Sequence, residues 1–466
     1  MFSLTEKGYY VPTDTKQLAK HKKALQIVPW TPYTNKQYRG YKKPIVLYTF
    51  ARPAGILVPR YYGLEHFGKP KIDTLSNQEI RVRKSMTFKG SLRDYQVPIV
   101  SKCMDHMRAH CGGVLCISPG MGKTCCALYM ACQWKCKTMI IVHTSTLLNQ
   151  WKERVHQFVP NASIGIVQGP LCETDAAYDI CIGMVHSLSY KPYAPDAFKS
   201  FQLVVYDEID RMCTQVFSKS FAKVAAHAKY TMGLSATPRR EDRCERIFYA
   251  YIGPIMHEQK RDPDESVKVY VPFVHHKQFE PCRDKNGEIS YTNTVIKMSK
   301  MPHRNHMLAQ RILDLAKHPD RKILVLGAYI NQLEDLLARL PKGMGSLYIG
   351  RMNEQERARA QTFRVILGTY SIASVGMDIP ALNTLVFATP RKQIEQAVGR
   401  IMRKLKATIY PVIVDPVDSF YYFVAQSKKR ITFYRKNGYQ IIHEEQQQQH
   451  TAAKKTTLVD FLAIQT

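Results

Sequence analysis

Short apolar runs alternate with amphipathic stretches along two parts of the chain. From residue 91 to about 255, the runs GGVLCI, KTMIIVH, YDICIGM, FQLVVYD and YTMGLSA each predict a strand, and TCCALYMACQW and STLLNQWKERVHQFV predict helices between them. Apolar strands that end in polar or glycine-containing loops and alternate with helices are typical of a parallel α/β sheet.

A second series of the same kind begins near residue 303. Its strand-like runs are RKILVLGA, RVILGTY, NTLVFAT and IYPVIVD, and its helical stretches are HMLAQRILDLAKH, NQLEDLLARL and IEQAVGRIMRK. Two series of similar size predict an α/β protein with two parallel-sheet domains in tandem, over 91–256 and 301–440, joined by a polar connector over 257–300.

The character of the sequence changes after the second series. The stretch SFYYFVAQSKKRITFYRKNGY predicts a last helix, and HEEQQQQHTAAKKTT after it is polar and of low complexity. A segment of such composition cannot bury enough apolar surface to fold, so we expect a disordered tail over 441–466.

Positive charge dominates the chain of 466 residues. There are 67 Lys and Arg against 38 Asp and Glu, the net charge is +29, and residues 1–90 hold 17 of the basic residues and 5 of the acidic ones. A surplus of this size favours a polyanionic partner, because each neutralised phosphate releases counterions. A basic protein that is merely soluble, or one that touches acidic membranes, stays an alternative. We treat 1–90 as a basic accessory region.

Cysteine usage and the lack of long apolar runs indicate the compartment. The 12 cysteines show no C-x-x-C spacing and lie mostly in apolar stretches, which predicts reduced core residues rather than zinc ligands or disulfides. No apolar run is long enough to span a bilayer, and the first residues, MFSLTEKGYY, lack the apolar core of a signal peptide. We therefore expect an intracellular protein in a reducing compartment, with no membrane partner.

The stretch SPGMGKT after the first strand has the composition of a phosphate-binding loop. Gly120 and Gly122 would let the backbone turn its N–H groups inward at the start of a helix, Lys123 would reach the β- and γ-phosphates, and the Thr124 hydroxyl would bind Mg²⁺. The usual first glycine is replaced by Ile117. The short motif alone leaves a chance occurrence open, but its place between a predicted strand and a predicted helix favours a nucleotide site.

A pair of carboxylates follows another predicted strand in LVVYDEID. A magnesium–nucleotide site needs one carboxylate to hold the metal, usually through its waters, and a second group to orient or deprotonate the attacking water. Asp207 and Glu208 fit these two roles in this order. The alternative is a solvated Asp-Glu pair that opens a turn.

Basic residues recur at helical spacing in QAVGRIMR of the second series. Gln396, Gly399, Arg400 and Arg403 stand at offsets 0, 3, 4 and 7 and would share one helical face. A solvated basic face is the alternative. Glycine inside a helix costs about 1 kcal/mol against alanine, so Gly399 indicates a close approach. The two arginines could then reach a γ-phosphate held by the first domain.

Taken in order, these motifs resemble those of the superfamily-two helicases, nearest the XPB-like branch. That branch includes the transcript-release helicases of poxviruses and related large DNA viruses and the phage helicase UvsW. The resemblance runs from about residue 91 to 438, and its first motif, which reads A-x-x-G-x-G-K-T in this superfamily, does not need the missing glycine. It implies two RecA-like domains with ATP and Mg²⁺ between them and a polynucleotide across both.

The resemblance also implies roles for individual residues. Around the nucleotide these are Gln96 of LRDYQ as an adenine contact, Pro119, Gly120, Met121, Gly122, Lys123 and Thr124 of SPGMGKT, and Asp378 of TYSIASVGMDIP, with Arg400 and Arg403 as arginine fingers beside Gln396. Toward the nucleic acid, or its coupling to ATP, they are Thr144 and Gln150 of VHTSTLLNQW, His186 of YDICIGMVHSL, Ser235 and Thr237 of SATP, and Arg240, Glu241 and Asp242 of RREDRCERIFYAYIGPI.

One position departs from the branch. The fourth residue of its DE-containing motif is usually histidine, whereas this chain has Asp210. That position helps to couple the ATP state to the SATP motif, so the family's coupling does not carry over directly.

The function implied is an ATP-dependent DNA helicase or translocase that acts on DNA duplexes or DNA–RNA hybrids. Transcription termination, recombination and repair all stay open as its pathway. If the protein is viral, the resemblance implies a place in the host cytoplasm, a replication factory or the virion. An RNA helicase is the alternative within the same class. A nucleic-acid binding scaffold that hydrolyses nothing is the alternative from another class, and a polymerase-bound role is compatible with either.

The last stretch, KKTTLVDFLAIQT, regains apolar residues after the glutamine run. One helical turn would bring Leu458, Phe461 and Leu462 to one side, as in the peptides by which replication and repair proteins bind sliding clamps. Those peptides begin with glutamine and end in two aromatics, where this chain has Lys455 and Leu462. A turn that packs back onto the helicase body, or is frayed, is one interpretation of this segment, and docking to a sliding clamp or a polymerase is the other.

Overall fold

In the computed structural model, the chain forms two compact units. The first runs from Met1 to Lys260, and the second begins at Arg261. The structure describes residues 1–30, 43–52, 54–276, 279–371, 379–402 and 409–445. Each unit contains a large sheet of mostly parallel strands with helices in the connections, so the predicted fold of two RecA-like α/β domains is confirmed.

The first unit opens with short strands and two helices formed by the basic N-terminal region. The strands are β1 (Ser3–Thr5), β2 (Gly8–Pro12), β3 (Gln26–Ile27), β4 (Ile45–Val46), β5 (Thr49–Ala51), β6 (Gly55–Val58) and β7 (Ile72–Asp73), and the helices are α1 (Leu18–Ala24) and α2 (Arg60–Phe67). Five of the strands form one sheet in the order β5-β6-β2-β1-β7, and β3 pairs with β4. Strands this short carry little periodicity, so the sequence pattern did not predict them.

The N-terminal sheet packs onto the rest of the first unit through α2. Arg60, which is 6% exposed, donates to the carbonyl oxygens of Ala228 and Lys229 at 2.8 Å each. The Tyr61 hydroxyl donates to the carbonyl oxygen of His110 at 3.1 Å. Buried cations and hydroxyls of this kind are stable only when their donors are used. Residues 1–90 are therefore built into the first unit.

The large sheet of the first unit contains eight strands. They are β8 (Gly112–Ile117), β9 (Thr138–Val142), β10 (Ile164–Gln168), β11 (Leu171–Cys172), β12 (Ile180–Met184), β13 (Leu203–Asp207), β14 (Tyr230–Ser235) and β15 (Ile255–Gln259). Their spatial order is β11-β10-β12-β9-β13-β14-β8-β15, and only β10 and β11 pair antiparallel. Strands β8, β9, β12, β13 and β14 are buried along their whole length, which explains their unbroken apolar sequences.

Helices and short turns connect these strands. The α-helices are α3 (Gln96–His110), α4 (Lys123–Trp134), α5 (Ser145–Phe158), α6 (Val185–Tyr190), α7 (Lys219–Val224) and α8 (Arg246–Ile252), with 3-10 turns at Ile209–Met212 and Ala225–His227. The 12 cysteines all lie in described residues, and all are free thiols, most of them buried. In the described part of the chain, no helix combines the length and apolarity needed to cross a membrane.

The second unit is built on a parallel sheet of eight strands. They are β16 (Lys268–Val274), β17 (Ile323–Gly327), β18 (Gly345–Tyr348), β19 (Val365–Thr369), β20 (Thr384–Phe387), β21 (Val412–Val414), β22 (Val417–Asp418) and β23 (Gln440–Glu445). Its helices are α9 (Tyr291–Ser299), α10 (Pro302–Ala316), α11 (Ile330–Ala338), α12 (Glu354–Ala360), α13 (Glu395–Ile401) and α14 (Tyr421–Lys436). The order is β18-β19-β17-β20-β21-β16-β22, and β23 also pairs with β16.

Two buried ion pairs fasten helices of the second unit to its sheet. Arg304 of α10 binds Asp418 with Nε–Oδ1 and Nη2–Oδ2 distances of 2.7 and 3.0 Å, and both side chains are fully buried. Arg430 of α14 binds Asp415 with an Nε–Oδ2 distance of 2.7 Å. Planar guanidinium groups suit such buried bidentate contacts.

The boundaries differ from the prediction in two places. The connector expected over 257–300 is not a plain linker, because β15 extends to Gln259 in the first sheet and β16 begins the second sheet at Lys268. Residues 441–445, expected within the disordered tail, instead belong to β23, which pairs with β16 through Glu445. Residues 446–466, including the docking motif around Leu458, lie outside the described residues, and that docking stays a prediction.

Candidate functional site

Three neighbouring strands of the first unit end at one edge of its sheet. Strand β14 lies between β8 and β13 and is parallel to both. The register pairs Ser235 with Cys116 and Leu234 with Asp207. The carboxyl ends of parallel strands form the usual binding edge of α/β sheets. The predicted loop after β8, the carboxylates after β13 and the serine at the end of β14 therefore lie together.

The loop after β8 turns through two glycines into α4. Gly120 and Gly122 have φ angles of +81° and +84°, a region that favours glycine, and Gly122 precedes the first residue of the helix. The Lys123 ammonium donates to the carbonyl oxygen of Ile117 at 3.2 Å, so it lies back over the loop. Thr124 follows in the first turn of the helix, where backbone N–H groups attract anions.

The Gln96 side chain is hydrogen-bonded to this loop. Its side chain, 3% exposed, donates from Nε2 to the carbonyl oxygen of Met121 at 2.9 Å and accepts from the N–H of Arg93 at 2.9 Å. A Cβ atom on Gly122 would lie 2.2 Å from Gln96 Nε2, so glycine is required here for space as well as for conformation. Gln96 holds the loop in this conformation, and its contact with adenine stays a prediction.

Asp207 ends β13 and is 6% exposed. Its Oδ2 accepts a hydrogen bond from the Trp151 indole at 2.8 Å, and its Oδ1 accepts from the N–H of Glu208 at 3.0 Å. Burial raises the pKa of this carboxyl, and the indole hydrogen bond and the Lys123 ammonium oppose the rise. Asp207 and Thr124 offer the hard oxygen ligands that Mg²⁺ prefers beside nucleotide phosphates, so they fit the predicted metal.

Trp151 of α5 was not singled out by its sequence. It lies in the run NQW, where it looks like an ordinary apolar helix residue, and it is 2% exposed. The only signal was chemical, because a buried indole N–H needs an acceptor. The structure shows that this acceptor is Asp207.

Glu208 occupies a strained backbone position. Its φ and ψ of 50° and 53° are left-handed, which is uncommon for a residue other than glycine, and it caps the 3-10 turn Ile209–Met212. Strained residues persist where the surrounding structure holds them, often at active sites. Glu208 is half-buried and directly follows Asp207 at the binding edge of the sheet.

Asp210 joins the DEID motif to the SATP motif. Its Oδ1 accepts a hydrogen bond from Ser235 Oγ at 2.8 Å, and Ser235 Oγ in turn accepts from the N–H of Thr237 at 3.0 Å. Arg240 donates to the carbonyl oxygen of Asp210. An aspartate therefore makes the connection at the position where the helicase branch usually has histidine.

Arg240 and Asp242 bind each other. Their Nε–Oδ1 distance is 2.8 Å and their Nη2–Oδ2 distance is 2.5 Å. Burial raises the pKa of Asp242, but the bonds from Arg240 and from the N–H of Cys244 outweigh this and lower it. Both residues therefore stiffen the segment after SATP, while Glu241 between them is exposed.

The other predicted nucleic-acid contacts of the first unit lie on α5 and α6. Thr144 caps α5 by accepting from the N–H of Leu147 at 3.3 Å, a structural use that leaves its predicted contact untested. Gln150 is half-buried on the same helix, and His186 of α6 is exposed with its ring 4.5 Å from that of Phe217. Thr237 is exposed beyond the end of β14.

The arginine motif of the second unit is only partly described. Gln396 and Arg400 are half-buried on α13, and Gly399 is buried. The helix runs from Glu395 to Ile401, so the described part of the motif includes Gln396, Gly399 and Arg400. Arg403 and Asp378 themselves lie outside the described residues, and their roles stay predictions.

Two protein families match the chain. The family described as "Type III restriction enzyme, res subunit" matches residues 89–240, and "Helicase conserved C-terminal domain" matches residues 304–405. The chain also aligns with a solved structure, "The crystal structure of T4 UvsW", at 17% identity over 95% of this chain and 99% of that one, with a TM-score of 0.38.

Viral proteins are among the relatives. "Putative ATP-dependent RNA helicase L396" of Acanthamoeba polyphaga mimivirus is 31% identical over 94% of this chain and 86% of its own length. "Putative helicase 161L" of Invertebrate iridescent virus 6 is 26% identical over 76% and 83%. "Putative ATP-dependent RNA helicase QP509L" of African swine fever virus is 25% identical over 75% and 74%. The chain therefore belongs to the superfamily-two helicases, which hydrolyse ATP, and is related to helicases of large DNA viruses.

Proposed function

We propose that this helicase is an ATP-driven translocase on DNA duplexes or DNA–RNA hybrids. The observation that carries the proposal is a set of contacts at the binding edge. Trp151 donates to Asp207, the proposed metal ligand. Three residues further along the chain, Asp210 accepts hydrogen bonds from Ser235 and from Arg240 of the segment after SATP. A protein that only binds nucleic acid has no need for such a connection.

The residues of the loop would act first. Lys123 would leave the carbonyl oxygen of Ile117 and pair with the β- and γ-phosphates, while the backbone N–H groups at the start of α4 hold the phosphate oxygens. When bound with the nucleotide, Mg²⁺ would supply charge neutralisation there, held by Thr124 and Asp207. Glu208 would orient the attacking water and accept its proton.

The contacts beyond Asp207 would transmit the state of the nucleotide. Asp207 and Asp210 lie three residues apart across a strained turn. A displacement of Asp207 would therefore move Asp210 and alter its hydrogen bond with Ser235. Arg240 would pass this change to its own segment, the predicted nucleic-acid contact. From the second unit, we propose that Arg400 and Arg403 stabilise the charge that develops on the γ-phosphate.

The choice of DNA rests on resemblance and charge together. The net charge of +29 suits any polynucleotide, whereas the Arg-Glu-Asp segment at 240–242 resembles the DNA-acting branch. RNA is the second candidate, because the mimivirus and African swine fever virus relatives carry the words "RNA helicase" in their names. Since these relatives are viral, we propose that the protein acts inside an infected cell, in transcript release, recombination or repair.

The deciding experiment is ATP turnover measured with single-stranded DNA, duplex DNA, RNA and a DNA–RNA hybrid of equal length. We expect the largest stimulation with duplex DNA or the hybrid, and a preference for the hybrid would favour transcript release. Lys123→Ala should remove turnover with every strand while the protein stays folded, and Arg400→Ala should lower turnover more than ATP affinity. Stimulation by RNA alone would make the protein an RNA helicase, and no turnover with any strand would make it a binding scaffold.

A further inference from the structure

Trp30 stands at the surface beside the segment that follows SATP. The backbone N–H of Trp30 donates to the carbonyl oxygen of Asp242 at 2.9 Å, and the guanidinium carbon of Arg243 lies 5.5 Å from the centre of the indole ring. The residue is nevertheless 47% exposed. The other two tryptophans differ, because Trp151 is buried and Trp134 stacks on Tyr230 with 4.8 Å between ring centres.

The turn around Asp242 and Arg243, against which Trp30 lies, is held in place by hydrogen bonds. Asp242, to which Trp30 is attached, is fixed by both bonds from Arg240 and by the N–H of Cys244 at 3.1 Å. Arg243 has a φ of +57°, a left-handed conformation that costs energy in a residue other than glycine. The exposed indole of Trp30 therefore lies beside a strained turn whose conformation is fixed by hydrogen bonds.

The surroundings of the pair suit a polyanion. Arg239, Arg243 and Arg246 are all exposed on this segment, whereas Glu241 is its only exposed carboxylate among the described residues. One indole face is far smaller than the apolar patch of a few hundred Å² that marks a typical protein docking surface. It matches the area of one nucleobase, and stacking on a protein aromatic does not require a particular base.

We propose that Trp30 and Arg243 form a stacking site for one unpaired base of a DNA strand, with the neighbouring arginines on its phosphates. The inference rests on the proposed function, whose substrate contact it names. Arg240 is a positioning residue in this arrangement, because it holds Asp242 and reaches the carbonyl oxygen of Asp210 at the ATP-site edge. An unpaired base on Trp30 would therefore lie three hydrogen bonds from Asp210, through Asp242 and Arg240.

The test uses the full chain, without ATP, and a forked DNA that carries 2-aminopurine as the first unpaired base. Binding should quench the 2-aminopurine fluorescence in the parent. Trp30→Ala should remove the quenching and weaken binding about 5- to 150-fold, the range that base stacking contributes. Trp30→Phe should keep part of both effects, and Arg243→Ala should weaken binding while the quenching persists.

Phe50→Ala is the matched control, because Phe50 is 77% exposed and also carries a cation, Lys22, at 4.9 Å from its ring centre. This variant should behave as the parent. Unchanged quenching in a folded Trp30→Ala protein would overturn the proposal, as would an equal loss in Phe50→Ala or quenching with forked RNA only. Because no ATP is present, Trp30-dependent quenching would survive even if the strand-stimulated ATPase proved absent, so the two proposals fail separately.

Discussion

Replacing Trp151 with phenylalanine tests whether the indole hydrogen bond sets the charge state of Asp207. The substitution keeps an aromatic ring in α5 but removes the N–H that lies 2.8 Å from Asp207 Oδ2. Both side chains are buried, so solvent cannot readily replace the lost donor. The ionised form of Asp207 would lose a stabilising contact that its neutral form needs less.

The magnitude follows from the charged nature of the acceptor. A hydrogen bond to a charged group contributes about 1.5–3 kcal/mol, and one pKa unit corresponds to about 1.4 kcal/mol. The pKa of Asp207, already raised by burial, should therefore rise by roughly one to two further units. Because the pKa of Asp207 is higher in the folded protein than its value of 3.8 in the unfolded chain, the stability of the fold decreases as the pH rises from 3.8 to the folded pKa. In Trp151→Phe, this pH range should become wider.

The assay is the pH profile of kcat/KM for ATP, whose acidic limb reports essential groups of the free enzyme. Trp151→Phe should move that limb upward by the same one to two units. Trp134→Phe is the control, since it removes the same atoms from a residue that stacks on Tyr230. If Trp151→Phe lowers only the melting temperature and leaves the acidic limb in place, Trp151 packs against Asp207 without tuning it, and the reasoning is refuted.

Three further predictions concern other parts of the molecule. Gly122→Ala should abolish binding of a fluorescent ATP analogue, because its Cβ would lie 2.2 Å from Gln96 Nε2, whereas Gly169→Ala, with nothing within 4 Å, should retain it. Asp418→Asn should destabilise the second unit by about 3–5 kcal/mol in denaturant titrations, because Arg304 is left buried and unpaired. Burial raises the pKa of Asp418 but Arg304 lowers it further, to below 3.8, so in the parent this stability should be lost only as the pH falls through that lowered value. Binding to forked DNA should weaken linearly on a log–log plot against salt, by about 0.9 per phosphate contacted, and a flat plot would contradict polyanion binding.

The sequence predicted the large sheets well for a physical reason. Strands such as β8 and β13 are buried on both faces, so their residues form unbroken apolar runs with clear ends. The glycines of the loop and the carboxylates after β13 follow those strands directly, so their common edge could be expected from parallel pairing alone.

What could not be predicted depends on contacts between distant residues. Trp151 and Asp207 are 56 positions apart, and nothing local distinguishes this tryptophan from a core residue. The N-terminal sheet consists of strands of two to five residues, too short for a reliable period. Strand β23 has a mixed sequence, and its pairing with β16 decided its structure.

The position of β16 has a consequence for synthesis on the ribosome. It is the first strand of the second unit, yet its partners β21, β22 and β23 all lie between residues 412 and 445. The apolar run of β16 therefore emerges well over a hundred residues before anything in its own sheet can pair with it, while the first unit is already complete. Such delayed, distant pairing is slow and leaves strand edges open to aggregation. The nascent second unit should therefore depend on chaperones more than the first.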